Sequence, residues 1–138
     1  MISKIESAKR NIDFSIRCLF KNEDILSINL VASSAFRVLR DLAEKQEICT
    51  LHQSFKSLRF AKKSPSIWEH FNYVANFLKH ADRNADEVLE PDHQDPDITE
   101  TIIMLACIYY YELTGQMSGA MHGFMRWLSL TNESLSAL

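Results

Sequence analysis

Ile102-Ile103-Met104-Leu105-Ala106-Cys107-Ile108-Tyr109-Tyr110-Tyr111 is the longest apolar run in the chain, and its reading decides the fold. Ten successive apolar residues cover every face of a helix, and a helix without a polar face has to be enclosed by other elements. The run is about half of the roughly 20 residues that a bilayer span needs. It therefore predicts the central, most buried helix of a protein that does not enter a membrane. Asp97 with Glu100 supplies an N-terminal cap for it, and Gly115 a stop.

Outward from this helix the apolar spacing is three and four throughout. Ile5, Ala8, Ile12, Ile16 and Leu19 mark a first helix over about 4–21, opened by Ser3 and Glu6 in a capping-box pattern. Lys21-Asn22-Glu23-Asp24 breaks it, and Asp24 caps a second helix striped by Ile28, Val31, Ala35, Val38 or Leu39, and Leu42. Ala32, Ser33, Ser34 and Ala35 let a neighbouring helix come close. A third helix is expected near 48–62, with Lys56, Arg59, Lys62 and Lys63 toward its end, where cations suit the helix dipole. Ser64-Pro65 opens a fourth, running to about 82, with the apolar arc Ile67, Trp68, Phe71, Val74, Ala75, Leu78 and Ala81. Residues 82–97 hold seven acidic residues, two prolines and one base, which reads as a solvated connection, helical at most through Leu89. A last helix near 117–130 carries Met121, Phe124, Met125 and Leu128.

The chain of 138 residues is 46% hydrophobic and 24% charged, with three glycines and three prolines. Disorder, collagen-like repeats and a turn-rich β-sandwich all need another balance. One domain spanning 1–138 follows: an all-α, compact bundle of five or six helices. Cys18, Cys49 and Cys107 are odd in number and widely spaced, so they read as reduced thiols of a cytoplasmic protein. The N-terminus is charged from its fourth residue and does not read as a signal peptide. The net charge of −3 divides unevenly: residues 1–81 are basic on balance and 82–138 acidic. Such a division lets the two halves attract one another within the fold, or lets a basic 52–63 face meet an acidic 82–97 stretch between two copies in a homodimer.

Chemistry concentrates on the fourth helix. At about 100° per residue, Asn76, His80 and Arg83 fall within about 60° of each other, with Asn72, Tyr73 and Lys79 close by. Histidine exchanges protons near neutral pH, arginine grips a phosphate bidentately, and asparagine orients either. The same face also reads simply as the wet side of an amphipathic helix. Tyr109, Tyr110, Tyr111, Trp68 and Trp127 read as core before they read as a ligand pocket, and His52, His70 and His122 as surface or partly packed histidines. His80, Asp82, Asp86, Asp92, His93 and Asp95 have ligand chemistry but no fixed spacing, so no metal and no cofactor are assigned. No phosphate loop, G-x-S-x-G elbow or Cys–His signature occurs.

Asn76-Phe77-Leu78-Lys79-His80-Ala81-Asp82-Arg83-Asn84, preceded by the small-residue helix 27–42 and followed by the Tyr-rich helix and Trp127, resembles a family of short, uncharacterised bacterial helical proteins. More remotely, the Asn-x-x-x-His step is similar to that of the HEPN superfamily of helical bundles, which includes nucleotide-binding modules and metal-independent ribonucleases. That resemblance implies a phosphate-containing ligand or RNA, His80 and Arg83 as catalytic groups, and Asn76, Lys79, Asn72 and Tyr73 as ligand-binding ones. Active members carry an arginine immediately before the polar residue, where this chain has Ala75. The leading expectation is therefore a non-catalytic helical binding or interaction module, and the second a nucleotide-binding protein or ribonuclease centred on His80.

Overall fold

A computed structural model describes residues 1–47, 67–82 and 85–136. Among them are five helices: α1 Lys4–Phe20, α2 Ile25–Lys45, α3 Ile67–Lys79, α4 Pro96–Thr114 and α5 Gly119–Ser136. A single 3-10 turn, Pro91–Gln94, precedes α4, and no strand occurs among the described residues. The third helix expected near 48–62, the basic 52–63 run, the Ser64-Pro65 start, Cys49 and Arg83 lie outside the described residues.

The boundaries are set by local chemistry. Ser3 Oγ accepts from the Glu6 amide at 3.0 Å, which caps α1, while the Glu6 carboxylate accepts from Arg10 Nε at 3.2 Å. At the far end of α1, Asn22 takes up φ 55°, and the Asn22 and Glu23 amides reach back to the Leu19 and Cys18 carbonyls at 3.1 and 3.0 Å. These two bonds are a Schellman cap, with asparagine tolerating the left-handed position. Asp24 then accepts from the Ser27 amide at 2.9 Å and caps α2 as its sequence position suggests. The start of α4 corrects the expectation: the cap is Asp95, which accepts from the Asp97 amide at 2.9 Å, and Pro96 occupies the first turn. Proline loses nothing there because its missing donor would be unpaired anyway. Gly115, at φ 70°, ends α4 by donating to the Tyr111 carbonyl at 2.7 Å.

Helix α4 meets each of the other four described helices, most extensively α2, which also packs along α1. Ile102, Ile103, Leu105, Ala106 and Cys107 are buried, yet the helix is not enclosed on every side: Tyr111 is half exposed. Small residues Ala32, Ser33 and Ala35 of α2 are buried. Asn29 Nδ2 donates to Thr99 Oγ1 at 3.1 Å, Ser33 Oγ donates to Asn29 Oδ1 at 3.1 Å, and the Phe36 and Tyr109 rings meet with centroids 5.8 Å apart. The two contacts advance together along both helices, so α2 and α4 run in the same direction. On the other side, Ser118 Oγ donates to Asp13 Oδ1 at 2.6 Å and accepts from the Met121 amide at 3.2 Å, tying the start of α5 to α1. The Phe20 and Trp127 rings close the same pair edge to face at 5.4 Å. Helix α5 continues to Ser136, beyond the expected end near 130. Thr131 Oγ1 donates to the Trp127 carbonyl at 2.8 Å within the added turns.

Candidate functional site

Helix α3 is held by Val74 and Ala75, both buried, and packs on α2 and α4. With those two residues turned inward, Asn72, Tyr73, Asn76, Lys79 and His80 are all exposed. The helix stops at Lys79, three residues before the expected end. The His80 amide still donates to the Asn76 carbonyl at 3.0 Å, but Ala81 and Asp82 bend away, and Ala81 is exposed rather than part of the apolar arc. The helix face shared by Asn76 and His80 ends at this bend, and Arg83 lies outside the described residues.

After the bend the chain folds back. Ala85 and Glu87 face the C-terminal half of α3, and between them lies an open groove of about 270 Å³ lined by Tyr73, Asn76, Phe77, His80, Ala81, Ala85 and Glu87. Tyr73 fixes this return at two points. Its hydroxyl lies toward the Glu87 carboxylate, the largest influence on its pKa, and its ring stacks on His93 of the 3-10 turn with centroids 4.5 Å apart and planes 28° from parallel. That approach to Glu87 is the main reason the Tyr73 hydroxyl is held above its ordinary pKa, followed by partial desolvation and the nearby Glu87 and Glu90 charges. The connection is not helical through Leu89; it is a turn, an extended stretch and the Pro91–Gln94 turn, steadied by Gln94 Nε2 donating to the Leu89 carbonyl at 3.3 Å.

Of the residues singled out in the sequence, Tyr73, Asn76 and His80 come together in the groove. Asn72 and Lys79 are exposed outside its lining. Lys79 has its pKa lowered, first by desolvation and then by the charge of Arg37, which places it beside α2. His80 Nδ1 lies 3.9 Å from Asp82 Oδ1, with the side chains 45% and 78% exposed. A pair so long and so wet holds the imidazole only weakly. Phe77, Ala85 and Glu87 were not singled out as lining residues. Phe77 has the helical spacing of Tyr73 plus four, but Glu87 reaches the groove through a chain reversal that no local pattern announces.

Elsewhere the chemistry is quieter. A second, more open cavity of about 520 Å³ between the start of α1 and the end of α2 is lined by Lys4, Lys45, Asp41 and Glu44 with Val38 and Leu42, so its charges balance. Burial pushes the Cys107 thiol up to about 12, which keeps it from acting as a thiolate nucleophile at neutral pH. Tyr109 and Tyr110 are core residues, Trp127 packs against Phe20 and Phe124, and His122 is exposed. Among the described residues no three His, Cys, Asp or Glu side chains gather in a way that would hold a metal ion, and no helix is long and apolar enough to cross a membrane. No family model, no curated protein and no solved structure matches the chain.

Proposed function

We propose that this protein is a non-catalytic helical binding module whose ligand seat is the groove between α3 and the returning 85–94 segment. The observation that carries the reading is the concave meeting of two aromatic rings, an amide, an imidazole and a carboxylate at one open site, formed by Tyr73, Phe77, Asn76, His80 and Glu87. A groove of mostly apolar lining with a few convergent polar groups is the usual form of a small-ligand site.

The ribonuclease alternative draws less support from the same residues. The position at which the resemblance would require arginine is Ala75, and its side chain faces the core at 2% exposure. A guanidinium there would have to be buried or leave the helix face, so it could not join His80 at a phosphate. His80 also stands beside an exposed, distant carboxylate rather than a fixed partner. Acid–base catalysis needs a positioned proton carrier, and this pairing positions one poorly.

Two measurements test the proposal together. A ligand-observed NMR screen of small fragments against the full chain should return binders that are lost on Tyr73→Ala, while unstructured RNA oligonucleotides incubated with metal chelated should remain intact. His80→Ala should change folding stability by no more than about 0.5 kcal/mol, as expected for an exposed side chain. Metal-independent RNA cleavage that disappears in His80→Ala would instead establish the HEPN-like reading.

A further inference from the structure

The groove has a sign. Glu87 lines it, Glu90 lies close enough for its charge to be felt at Tyr73, and Asp82 sits beside His80. Lys79 lies toward Arg37 of α2 and is not part of the lining, and the one basic side chain that lines the groove, His80, stands beside Asp82. Glu87 is half-buried, and the Tyr73 hydroxyl is the described donor that its carboxylate most affects. A carboxylate has about four acceptor sites, so among the described residues Glu87 keeps acceptor capacity for a ligand. The Asn76 amide oxygen is a second acceptor, on the α3 wall. Rings with an electron-rich face complete the setting, and such rings attract cations, most of all where water is partly excluded. An anion entering here would meet Glu87 head-on, and like charges brought together at close range repel.

We propose that the α3 groove seats an organic cation, a guanidinium or alkylammonium group on a short apolar stem, with Glu87 as its counter-ion, Asn76 as a second acceptor, and the Tyr73 and Phe77 rings against the stem. This rests on the binding-module reading and gives that module its ligand class. A volume of about 270 Å³ accommodates one such group with its stem, whether the cation is a free amine or the side chain of a basic peptide.

The test is titration of the isotopically labelled full chain, followed by amide NMR shifts, with butylguanidinium, 1-butanol, inorganic phosphate and the tripeptide acetyl-Ala-Arg-Ala-amide as probes. Butylguanidinium should move the Tyr73, Asn76 and Glu87 amides saturably, and 1-butanol, which has the stem without the charge, should bind far more weakly. Glu87→Gln should weaken the cation about fivefold, the upper range for one partly exposed ion pair. Glu112→Gln, an exposed carboxylate on α4 away from the groove, should leave it unchanged. If the tripeptide binds as well as the free cation, the source is a protein side chain; if only the free cation binds, the source is a small molecule; both outcomes support the proposal. Saturable shifts of these amides by phosphate but not by butylguanidinium would overturn the cation assignment and leave the binding module standing. Silence of the groove toward butylguanidinium and the tripeptide overturns the cation assignment as well, and the binding module falls with it only if the fragment screen also finds no groove ligand.

Discussion

Asn29 is 2% exposed, and a buried amide is tolerated only when its donors and acceptors are engaged. Its Nδ2 donates to Thr99 and its Oδ1 accepts from Ser33, so one side chain stitches α2 to α4 and also to its own next turn. Unlike an apolar contact, the interhelical link is satisfied only in one register, because sliding either helix by a residue parts Asn29 Nδ2 from Thr99 Oγ1. Asn29→Ala should destabilise by about 1–3 kcal/mol, the cost of leaving buried hydroxyls short of partners. Replacing all three with apolar residues, Asn29→Leu with Ser33→Ala and Thr99→Val, should cost much less than the single change, because nothing polar is then left unpaired. Chemical denaturation of the two variants decides it, and equal losses would mean that volume rather than hydrogen bonding governs the site.

The helices show which features are legible locally. The beginnings of α1 and α2, the break within Lys21–Asp24 and the stop at Gly115 were readable because caps act over three or four residues through side chains of known geometry. The start of α4 was misplaced by two residues because Asp95 and Asp97 are both competent caps, and Pro96 settles the choice by fitting the first turn. The end of α3 was misread for a different reason. His80-Ala81-Asp82 contains no breaker, and the turn back is held by Tyr73 with Glu87 and His93, partners 14 and 20 positions away that periodicity does not register. The site was legible to the same extent: its α3 wall was visible as one helix face, and its opposing wall was not.

Helix α4 also carries a charge its position does not favour. Glu100, in the second turn, is half-buried, and desolvation, then Asp97 and Asp95, raise its pKa. A carboxyl whose folded value lies above its unfolded one binds protons more readily in the native state, so it costs stability at neutral pH and recovers it as pH falls through the folded value. Asp24 works the other way: its bonds to Ser27 lower its pKa, so its contribution is present above its unfolded value and lost as pH falls through the folded one. Glu100→Gln should raise the thermal midpoint at pH 7, by the equivalent of less than about 1 kcal/mol once solvent screening is allowed for. The gain should vanish in acid, where wild type and variant are both uncharged at position 100 and Asp24 affects them equally. A gain that persists at pH 3 would have to come from packing.

At the scale of the whole molecule, stability should be distributed as the contacts are. Helices α2 and α4 share the largest interface and α4 touches all the other described helices, so their amides can exchange only when most of the structure opens. Helix α3 is attached by a smaller interface, in which Val74 and Ala75 are the fully buried described residues, and its outer wall is a segment of mostly exposed backbone. Native-state hydrogen exchange should therefore find the slowest amides in Ala32–Leu39 and Ile102–Ala106, and a lower opening free energy for Asn76–Lys79. Val74→Ala, which removes about two methylene equivalents from a fully buried site, should cost about 2 kcal/mol in the opening of α3 and lower α4 protection by a similar amount, because α3 is also open in the state from which α4 exchanges. Ile102→Ala should lower protection of the α4 amides by about 2–5 kcal/mol and leave the opening of α3 nearly unchanged, because loss at the centre destabilises the native and the α3-open forms alike. If α3 and α4 exchange with one common free energy, the bundle is a single cooperative unit and the groove is rigid. If they separate as expected, a cation seated on Glu87 and Asn76 would have to hold α3 and the returning segment together. Butylguanidinium would then slow exchange at Asn76–Lys79, and by the same free energy at Ile102–Ala106, since the larger opening that frees α4 also destroys the ligand's site.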